Sequence, residues 1–209
     1  MFPFGYGLSY TSFSIGFRGL EIGEKNIELT VSVKNTGECY SGREVVQVYI
    51  TAPQNGEGKE YKRLAGFAKT GLLQPGQEQE IKIRIEQKEL ASFREESHQW
   101  SIDKGSYGLW IGNSGASLIL AAKITVSETR VIENTHRVCP KQRDFSDLQP
   151  SAASGDEMDL WKEEKSDVVP SYRFMPMKEE KKIYVAPPDQ DHPVEDLLPL
   201  LYGNITWGA

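Results

Sequence analysis

The stretch NIELTVSVKN at residues 26–35 alternates strictly between apolar and polar side chains. Ile27, Leu29, Val31 and Val33 fall on one side of an extended chain, and the polar residues between them fall on the other. This period of two is typical of a strand that packs one face on a core and leaves the other in water. We therefore predict a half-buried β-strand here.

Six further segments before Val126 have strand character, and turns rich in Gly, Asn and Pro separate them. They are YTSFSIGF (10–17), REVVQVYI (43–50), EYKRLAGFAK (60–69), QEIKIRIEQ (79–87), SYGLWIG (106–112) and SLILAAKITV (117–126). No long helical period interrupts them. Because each sheet must cover its apolar side, we expect two packed sheets. The predicted fold is all-β, an antiparallel β-sandwich of the immunoglobulin or fibronectin type III kind.

The character of the chain changes after Val126. Residues 127–190 carry charge clusters and scattered prolines without a sustained period, which predicts a charged linker and a largely irregular extension. Four side chains could fasten parts of it to a neighbouring surface: Trp161, Tyr172, Phe174 and Met175. Residues 191–209 predict a short helix that starts near Pro193 and stops at Gly203. The expected organisation is a connector at 1–13, a sandwich at 14–126, the linker and this helix.

The charge and hydropathy of the 209-residue chain exclude some classes of binding partner. The net charge of −6 offers no broad positive field, so we expect no nucleic acid. No run approaches the ~20 apolar residues that span a bilayer. The N-terminus does not show a basic region followed by an apolar run, as a signal peptide would. We therefore expect no membrane partner. The location stays open, with the cytoplasm slightly favoured. Cys39 and Cys139 fit reduced thiols or one disulfide.

The N-terminal stretch FPFGYGLSYTSF at residues 2–13 is unusually aromatic for the end of a soluble domain. A single small sandwich offers little for these side chains to pack on, so they need a second surface. Either this end folds back over the sandwich, or it docks on another domain. The candidate domain-docking strip consists of Phe2, Pro3, Phe4, Tyr6 and Tyr10.

The same stretch resembles the connector that leads into the fibronectin type III-like domain of family-3 glycoside hydrolases, the β-glucosidase and β-xylosidase family. The likeness continues in order through four more segments, over about residues 2–126. VSVKNTGECYSGREVVQVYI (31–50) is similar to the family's V-N-G---G-EVVQ-Y, KRLAGFAKTGLLQPGQEQEIKIRI (62–85) to L-GF-K--L-PG, ELASF (89–93) to an aliphatic stretch, and GSYGLWIGNSG (105–115) to G-Y-L-IG-S.

Most of these matched residues are expected to be scaffold. Asn35 with Gly37 and Pro75 with Gly76 predict hairpin turns. Gly66 would let Phe67 cross between the two sheets. None of these roles is chemical.

The resemblance implies a catalytic aspartate on a barrel domain and an acid/base carboxylate on the next domain, because glycoside hydrolysis needs two carboxylates. Neither context is matched here, and SDL (146–148) and SDV (166–168) fall in the predicted linker. HRVC (136–139) supplies two metal-ligand types where a structural zinc site needs four ligands. We therefore expect no catalytic residue, no cofactor and no metal site in this chain.

The expected function is that of an accessory region of a β-glucosidase-like enzyme, with the enzyme's catalytic domains as partners and a glycoside substrate only in the full-length protein. Some family members have a permuted order in which a linker and a barrel follow this domain. Residues 193–209 resemble the start of such a barrel, so we expect an internal slice of a longer enzyme. The alternatives are a carbohydrate-binding sandwich that stacks sugars on Trp100 or Trp110, and a protein-interaction module that uses the aromatic strip.

Overall fold

The computed structural model describes residues 2–55, 59–136 and 169–176. These residues form strands and one short 3-10 helix. In chain order the elements are β1 (Phe13–Ile22), β2 (Asn26–Asn35), β3 (Val45–Thr51), β4 (Arg63–Lys69), β5 (Glu78–Glu86), the 3-10 helix (Gln87–Leu90), β6 (Ser92–Arg94), β7 (Gln99–Ile102), β8 (Gly105–Ser114), β9 (Ser117–Val126), β10 (Arg130–Asn134) and β11 (Ser171–Phe174).

Two sheets form the sandwich. One has the order β1-β2-β5, and the other has the order β11-β9-β8-β3-β4. All neighbours are antiparallel except β11, which runs parallel to β9. The seven predicted strands are β1 to β5, β8 and β9, so the predicted all-β sandwich is confirmed.

The core lies between these two sheets. The four alternating apolar residues of β2 are completely buried, as their period of two predicts. They pack with apolar side chains of β3, β5 and β8, among them Val48, Ile83 and Ile111. Full burial of each such side chain contributes roughly 1.5–3 kcal/mol, so this layer supplies most of the driving force for folding.

The two predicted hairpin turns, at Asn35 with Gly37 and at Pro75 with Gly76, do not form hairpins. The first connects β2 to β3 and the second connects β4 to β5, and the strands of each pair lie in different sheets. Both connections instead cross between the sheets. Gly76 still occupies a tight turn with φ +77°, in which the Gln77 amide donates to the Gln74 carbonyl at 3.0 Å. The two-residue pattern identified the turn but not which strands it joins.

The expected crossing of Phe67 between the sheets is also wrong. Phe67 is 69% exposed on the outer side of β4. Gly66 faces the core instead, where a Cβ atom would lie 3.2 Å from Ile83 Cγ2. The opposite sheet therefore fills the space that the glycine leaves.

A third, small sheet with the order β10-β7-β6 was not predicted. Its strands are only three to five residues long and mostly polar, so they show no apolar period. Phe93 and Trp100 form a directly opposed cross-strand pair on it. Such a pair stabilises a short ladder although neither strand alone signals one.

Part of the predicted linker is structured, since β10 and β11 fall inside 127–190. Phe174 is buried in the core, Tyr172 packs beside it, and Met175 is exposed. The Lys123 amide of β9 donates to the Pro170 carbonyl at 3.0 Å, which extends the pairing. Trp161 and the predicted helix at 191–209 lie outside the described residues, as do the SDL and SDV segments.

Phe174→Ala should release β11 from the sheet edge. Truncation of a buried Phe costs about 3–5 kcal/mol, more than a four-residue parallel pairing can hold. We expect exchange of the Lys123 amide hydrogen, followed by NMR, to accelerate by about 100-fold or more because this opening is local. Met175→Ala, at an exposed position next to β11, should leave the rate unchanged. Equal rates in both variants would contradict an anchoring role for Phe174.

Candidate domain-docking surface

The aromatic strip lies on the surface. Phe4 is 70% exposed and Tyr10 is 91% exposed, and Phe2, Tyr6 and Leu8 are also exposed. Pro3 is half-buried. The strip does not bury its own side chains within the described part of the chain, so the alternative in which it folds back as a cover is not what the structure shows.

The strip is nevertheless ordered by its backbone. The Tyr6 amide donates to the Pro3 carbonyl at 3.1 Å, and the Gly115 amide donates to the Phe4 carbonyl at 2.8 Å, which ties the strip to the end of β8. The rings of Phe2 and Tyr6 stack with centroids 4.8 Å apart.

Gly5 allows the close approach of this backbone to the sheet. It has φ +81°, and a Cβ atom there would lie 2.0 Å from Gln47 Nε2. Only glycine combines this conformation with the missing side chain. The aromatic rings are therefore presented from a fixed backbone.

Asn35 holds the far end of the strip. Its Oδ1 accepts hydrogen bonds from Thr11 Oγ1 at 2.6 Å and from the Gly37 amide at 3.0 Å. Its Nδ2 donates to the carbonyls of Tyr40 at 2.9 Å and Leu73 at 3.0 Å. The strip, the β2–β3 connection and the β4–β5 connection thus meet at one buried amide.

Tyr40 extends the strip, and sequence reasoning missed it. Its exposed ring lies 6.1 Å from that of Tyr10, at 56°. Tyr40 stands among turn residues in KNTGECYSG, where no period marks it. The candidate docking surface therefore consists of the strip at residues 2–10 together with Tyr40.

A groove of about 520 Å³ runs beside the strip. Its lining includes Tyr6, Leu8, Phe13, Arg43 and Glu44. Glu44 Oε2 accepts a hydrogen bond from the side chain of Asn113 at 3.3 Å. With one carboxylate, the groove has no pair of the kind that glycoside hydrolysis needs.

Trp110 cannot serve as a sugar-stacking residue, which corrects that expectation. It is 7% exposed, and its Nε1 donates to Thr51 Oγ1 at 2.9 Å. Lys62 Nζ lies 3.6 Å from its ring centroid. Tyr49 packs beside it in a satellite cluster on the outer side of the five-stranded sheet. The ring has no free face for a ligand.

Trp100 is 37% exposed, so its proposed contact with sugar stays a prediction. Its ring centroid lies 5.4 Å from that of Phe93, and the two planes are tilted by 53°. The pair therefore does not form one flat platform for a sugar chain.

A buried charge cluster lies at the other end of β8. The fully buried Asp103 carboxylate accepts from Arg94 at 2.5 Å and from Lys59 Nζ. Burial raises the pKa of the Asp103 carboxyl, but the hydrogen bonds and charges of Lys59 and Arg94 outweigh burial, so its pKa is lowered. The Tyr107 hydroxyl accepts from the Asp103 amide at 2.9 Å and donates to the Asp103 carbonyl at 3.1 Å. Burial raises the pKa of Tyr107 strongly.

This cluster is structural. Tyr107 bonds back to the backbone four residues upstream, near the start of its strand, as a tyrosine corner does. Lys59 Nζ also donates to the Pro53 carbonyl at 3.1 Å, so the cluster fastens the β3–β4 connection to the start of β8. Both carboxylate oxygens of Asp103 are occupied, and neither is open to a substrate.

Over the described ranges, no three or more His, Cys, Asp or Glu side chains gather in a metal-binding arrangement. Cys39 is a free, exposed thiol, and Cys139 lies outside those ranges. None of the helices that the structure describes has the length and apolar character needed to cross a membrane.

The isolated chain should self-associate through the docking surface. The exposed rings lie together on one surface, and clustered exposed apolar side chains commonly mark an interaction site. Sedimentation velocity should show a weight-average mass that rises with concentration. The double variant Phe4→Ser/Tyr10→Ser should shift this rise to higher concentration. Phe93→Ser, at the far end of the sandwich, should not, and an equal effect of both would contradict the assignment.

Comparison with known proteins agrees with this architecture. Residues 44–115 match the family described as Fibronectin type III-like domain. A β-glucosidase from Kluyveromyces marxianus is 37% identical over 128 residues, which are 61% of this chain and 15% of that protein. A β-glucosidase from Ruminococcus albus is 37% identical over 137 residues, which are 63% of this chain and 14% of that protein.

Solved structures give the same result. A β-glucosidase from Paenibacillus barengoltzii superimposes with a TM-score of 0.61 at 32% identity, over 66% of this chain and 16% of that one. The Kluyveromyces marxianus β-glucosidase in complex with glucose has a TM-score of 0.60 at 34% identity, over 64% of this chain and 16% of that one. The chain thus spans only about a sixth of the β-glucosidases it matches. Residues 44–115 therefore form a fibronectin type III-like domain that is similar to the one in these β-glucosidases.

Proposed function

We propose that this chain is a non-catalytic accessory region of a β-glucosidase-type family-3 glycoside hydrolase, and that its docking surface packs on the catalytic domains of that enzyme. The ordered, exposed aromatic surface is the observation that carries the proposal. In the relatives, the matching domain is a small part of a much larger β-glucosidase.

The exposed rings are costly to a domain that stands alone. A domain that works alone would lose solubility through them, whereas a domain that docks would gain roughly 1.5–3 kcal/mol for each large side chain that becomes buried. Interfaces between domains of one chain commonly bury about 600–1,500 Å². Five or six aromatic and aliphatic side chains on one surface are enough to form the centre of such an interface.

The rigid presentation of the strip supports the same function. Hydrogen bonds hold the strip to the sandwich near both of its ends. The Phe4 carbonyl accepts from the Gly115 amide, and the Thr11 hydroxyl donates to Asn35 Oδ1. A pre-ordered surface loses less conformational entropy on docking than a mobile tail does. The domain is therefore suited to brace a neighbour in one fixed orientation.

The test uses the whole polypeptide. Sequencing the DNA on both sides of this reading frame would give the coding sequence for its expression. We expect that polypeptide to release the aryl group from an aryl β-glucoside, and this chain alone to release none. Activity of the isolated chain that persists after contaminating hydrolases are excluded would overturn the proposal, as would flanking stop codons.

The matched variants test the docking. Phe4→Ser/Tyr6→Ser in the whole polypeptide should lower the thermal midpoint of activity loss. Phe93→Ser is the control, since β6 lies near the start of β8 and the strip lies near its end, roughly 30 Å away. Equal midpoints in the two variants would count against docking through the strip.

A further inference from the structure

One row of side chains on the outer face of the five-stranded sheet is apolar, which is unusual for a sandwich. The outward side of an antiparallel sheet is commonly polar because it faces water. Here the register aligns Leu64, Tyr49, Trp110 and Leu120 in one row across β4, β3, β8 and β9. Tyr49 and Trp110 in the middle of this row are buried although no second sheet covers that side.

Phe67 stands in the next row of the same face. It lies opposite Gln47 on β3, which in turn lies opposite Gly112 on β8. Side chains of directly opposed residues point to the same side of a sheet, about 5 Å apart. Phe67 therefore lies beside Gln47, and its ring is 69% exposed.

Gln47 connects Phe67 with the docking surface. The backbone of Gly5 passes directly over the Gln47 side chain, at a distance that excludes a Cβ atom. Gln47 is buried there, and its Oε1 accepts a hydrogen bond from the Tyr49 hydroxyl at 2.8 Å. The Gln47 side-chain amide also donates to the Asn113 carbonyl at 3.3 Å, so the Gly5 backbone lies over the sheet between Gln47 and Asn113. Phe67 on β4 is therefore one to two strand spacings from the strip, roughly 5–10 Å.

Basic side chains border this face, although the chain as a whole carries a net charge of −6. Lys69 follows Phe67 on the same side of β4. Lys62 lies over Trp110 on the outer face. Complementary charge fixes the orientation of two surfaces more than it strengthens their contact.

We propose that Phe67 and the outer sheet face around Gln47 are the second half of the docking surface. The catalytic domain that packs on the strip also packs here, and it contributes an apolar patch with an acidic rim. This proposal rests on the proposed function. It makes the interface two-sided, since the partner contacts both an N-terminal segment and a strand of the sandwich itself. The orientation of the domain is then determined by the sheet as well as by the connector.

Hydroxyl-radical footprinting with mass spectrometry tests this directly, because it reports the exposure of individual aromatic side chains. Oxidation rates would be compared between this chain, at a concentration where it is monomeric, and the whole polypeptide. We expect Phe67 and Phe4 to be oxidised several-fold more slowly in the whole polypeptide. Phe93, at the other end of the sandwich, is the internal control and should keep its rate.

The outcomes separate the two proposals. Protection of Phe4 without protection of Phe67 overturns the second half of the surface and leaves the proposed function intact. Protection of neither residue overturns both. Protection of both, with Phe93 unchanged, supports both.

A variant of the rim provides an independent measurement. Lys69→Glu in the whole polypeptide should lower the thermal midpoint of activity loss at low salt, and salt should reduce the difference because it screens exposed charges. In the isolated chain the same substitution should leave the unfolding midpoint unchanged. A lowered midpoint in the isolated chain, or the same loss at every salt concentration, would contradict the acidic rim.

Discussion

Replacement of Asp103 by asparagine should lower the free energy of unfolding by about 3–5 kcal/mol. The carboxylate is fully buried and neutralises Lys59, which is itself almost completely buried. Asparagine has nearly the same shape but no charge, so it leaves the Lys59 ammonium and the Arg94 guanidinium without their counter-ion. Urea unfolding of the isolated chain, followed by tryptophan fluorescence, measures the change.

The control is an ion pair of similar geometry on the surface. Lys82 Nζ contacts Glu28 at 2.5 Å across β2 and β5, but both side chains are substantially exposed. Water and salt screen such a pair, so Glu28→Gln should leave the unfolding midpoint nearly unchanged. Similar losses for Asp103→Asn and Glu28→Gln would show that burial does not determine the value of these pairs.

The pH dependence gives the Asp103 prediction a second readout. Since the pKa of the folded carboxyl lies below its ordinary value, the cluster's contribution to stability is complete above the unfolded pKa, near 3.9. It is lost as the pH falls through the lower, folded pKa. The native chain should therefore lose this stability in acid, whereas the Asp103→Asn variant has none to lose. The difference between their free energies of unfolding should shrink below about pH 4.

Local pattern was sufficient to predict the sandwich, because a strand that covers one core reveals itself by a period of two. The residues of β2 and β5 alternate so regularly that their buried faces follow directly. The same rule could not identify β11, because a four-residue segment becomes a strand only where β9 offers an open edge far away in sequence. The rule also could not predict that β2–β3 and β4–β5 cross between the sheets. Turn residues show where the chain reverses, but not which strand the next strand will pair with.

The functional surface was predictable only in part, for a similar reason. The strip stood out because its aromatic density exceeds what one end of a small domain can bury. Phe67 and Trp110 are both aromatic residues on strands and both lie on the outer face, yet one is exposed and the other is covered by Lys62. Burial on an outer face depends on what lies above it, and that is determined by tertiary contacts.

Asp103 shows the same limit for a polar residue. In SIDKGSYG it stands where turn residues are common, so sequence reasoning assigned it no role. Its importance comes from Lys59 and Arg94, which lie on two other segments of the chain. A sequence pattern reveals residues that recur at a regular spacing. A buried charge cluster is formed by single residues from separate segments, so no spacing reveals it.

Replacement of Asn35 by alanine should cost about 2–4 kcal/mol, since buried or half-buried polar groups lose their partner at the same time. The Leu73 carbonyl, which is buried, loses its donor, and Thr11 Oγ1 and the Gly37 amide lose their acceptor. Urea unfolding measures the stability. NMR contacts between the rings of Tyr10 and Tyr40 report the strip, and they should weaken because Asn35 Nδ2 also holds the Tyr40 carbonyl.

Two further variants separate the roles of this amide. Asn113→Ala, which removes one hydrogen bond of 3.3 Å to Glu44, should have a much smaller effect. Asn35→Asp keeps an acceptor for Thr11 and Gly37 but turns a carboxylate toward the carbonyl oxygens of Tyr40 and Leu73. The two carbonyl oxygens repel the ionised carboxylate, so folding raises its pKa above the ordinary value near 3.9. Protonation restores a donor, so the deficit of this variant relative to the native chain should shrink as the pH falls through the raised pKa, and the recovery should be complete near the ordinary value. If its deficit is independent of pH, the bonds to the two carbonyls do not carry the role of Asn35, and the crossings are held by packing instead.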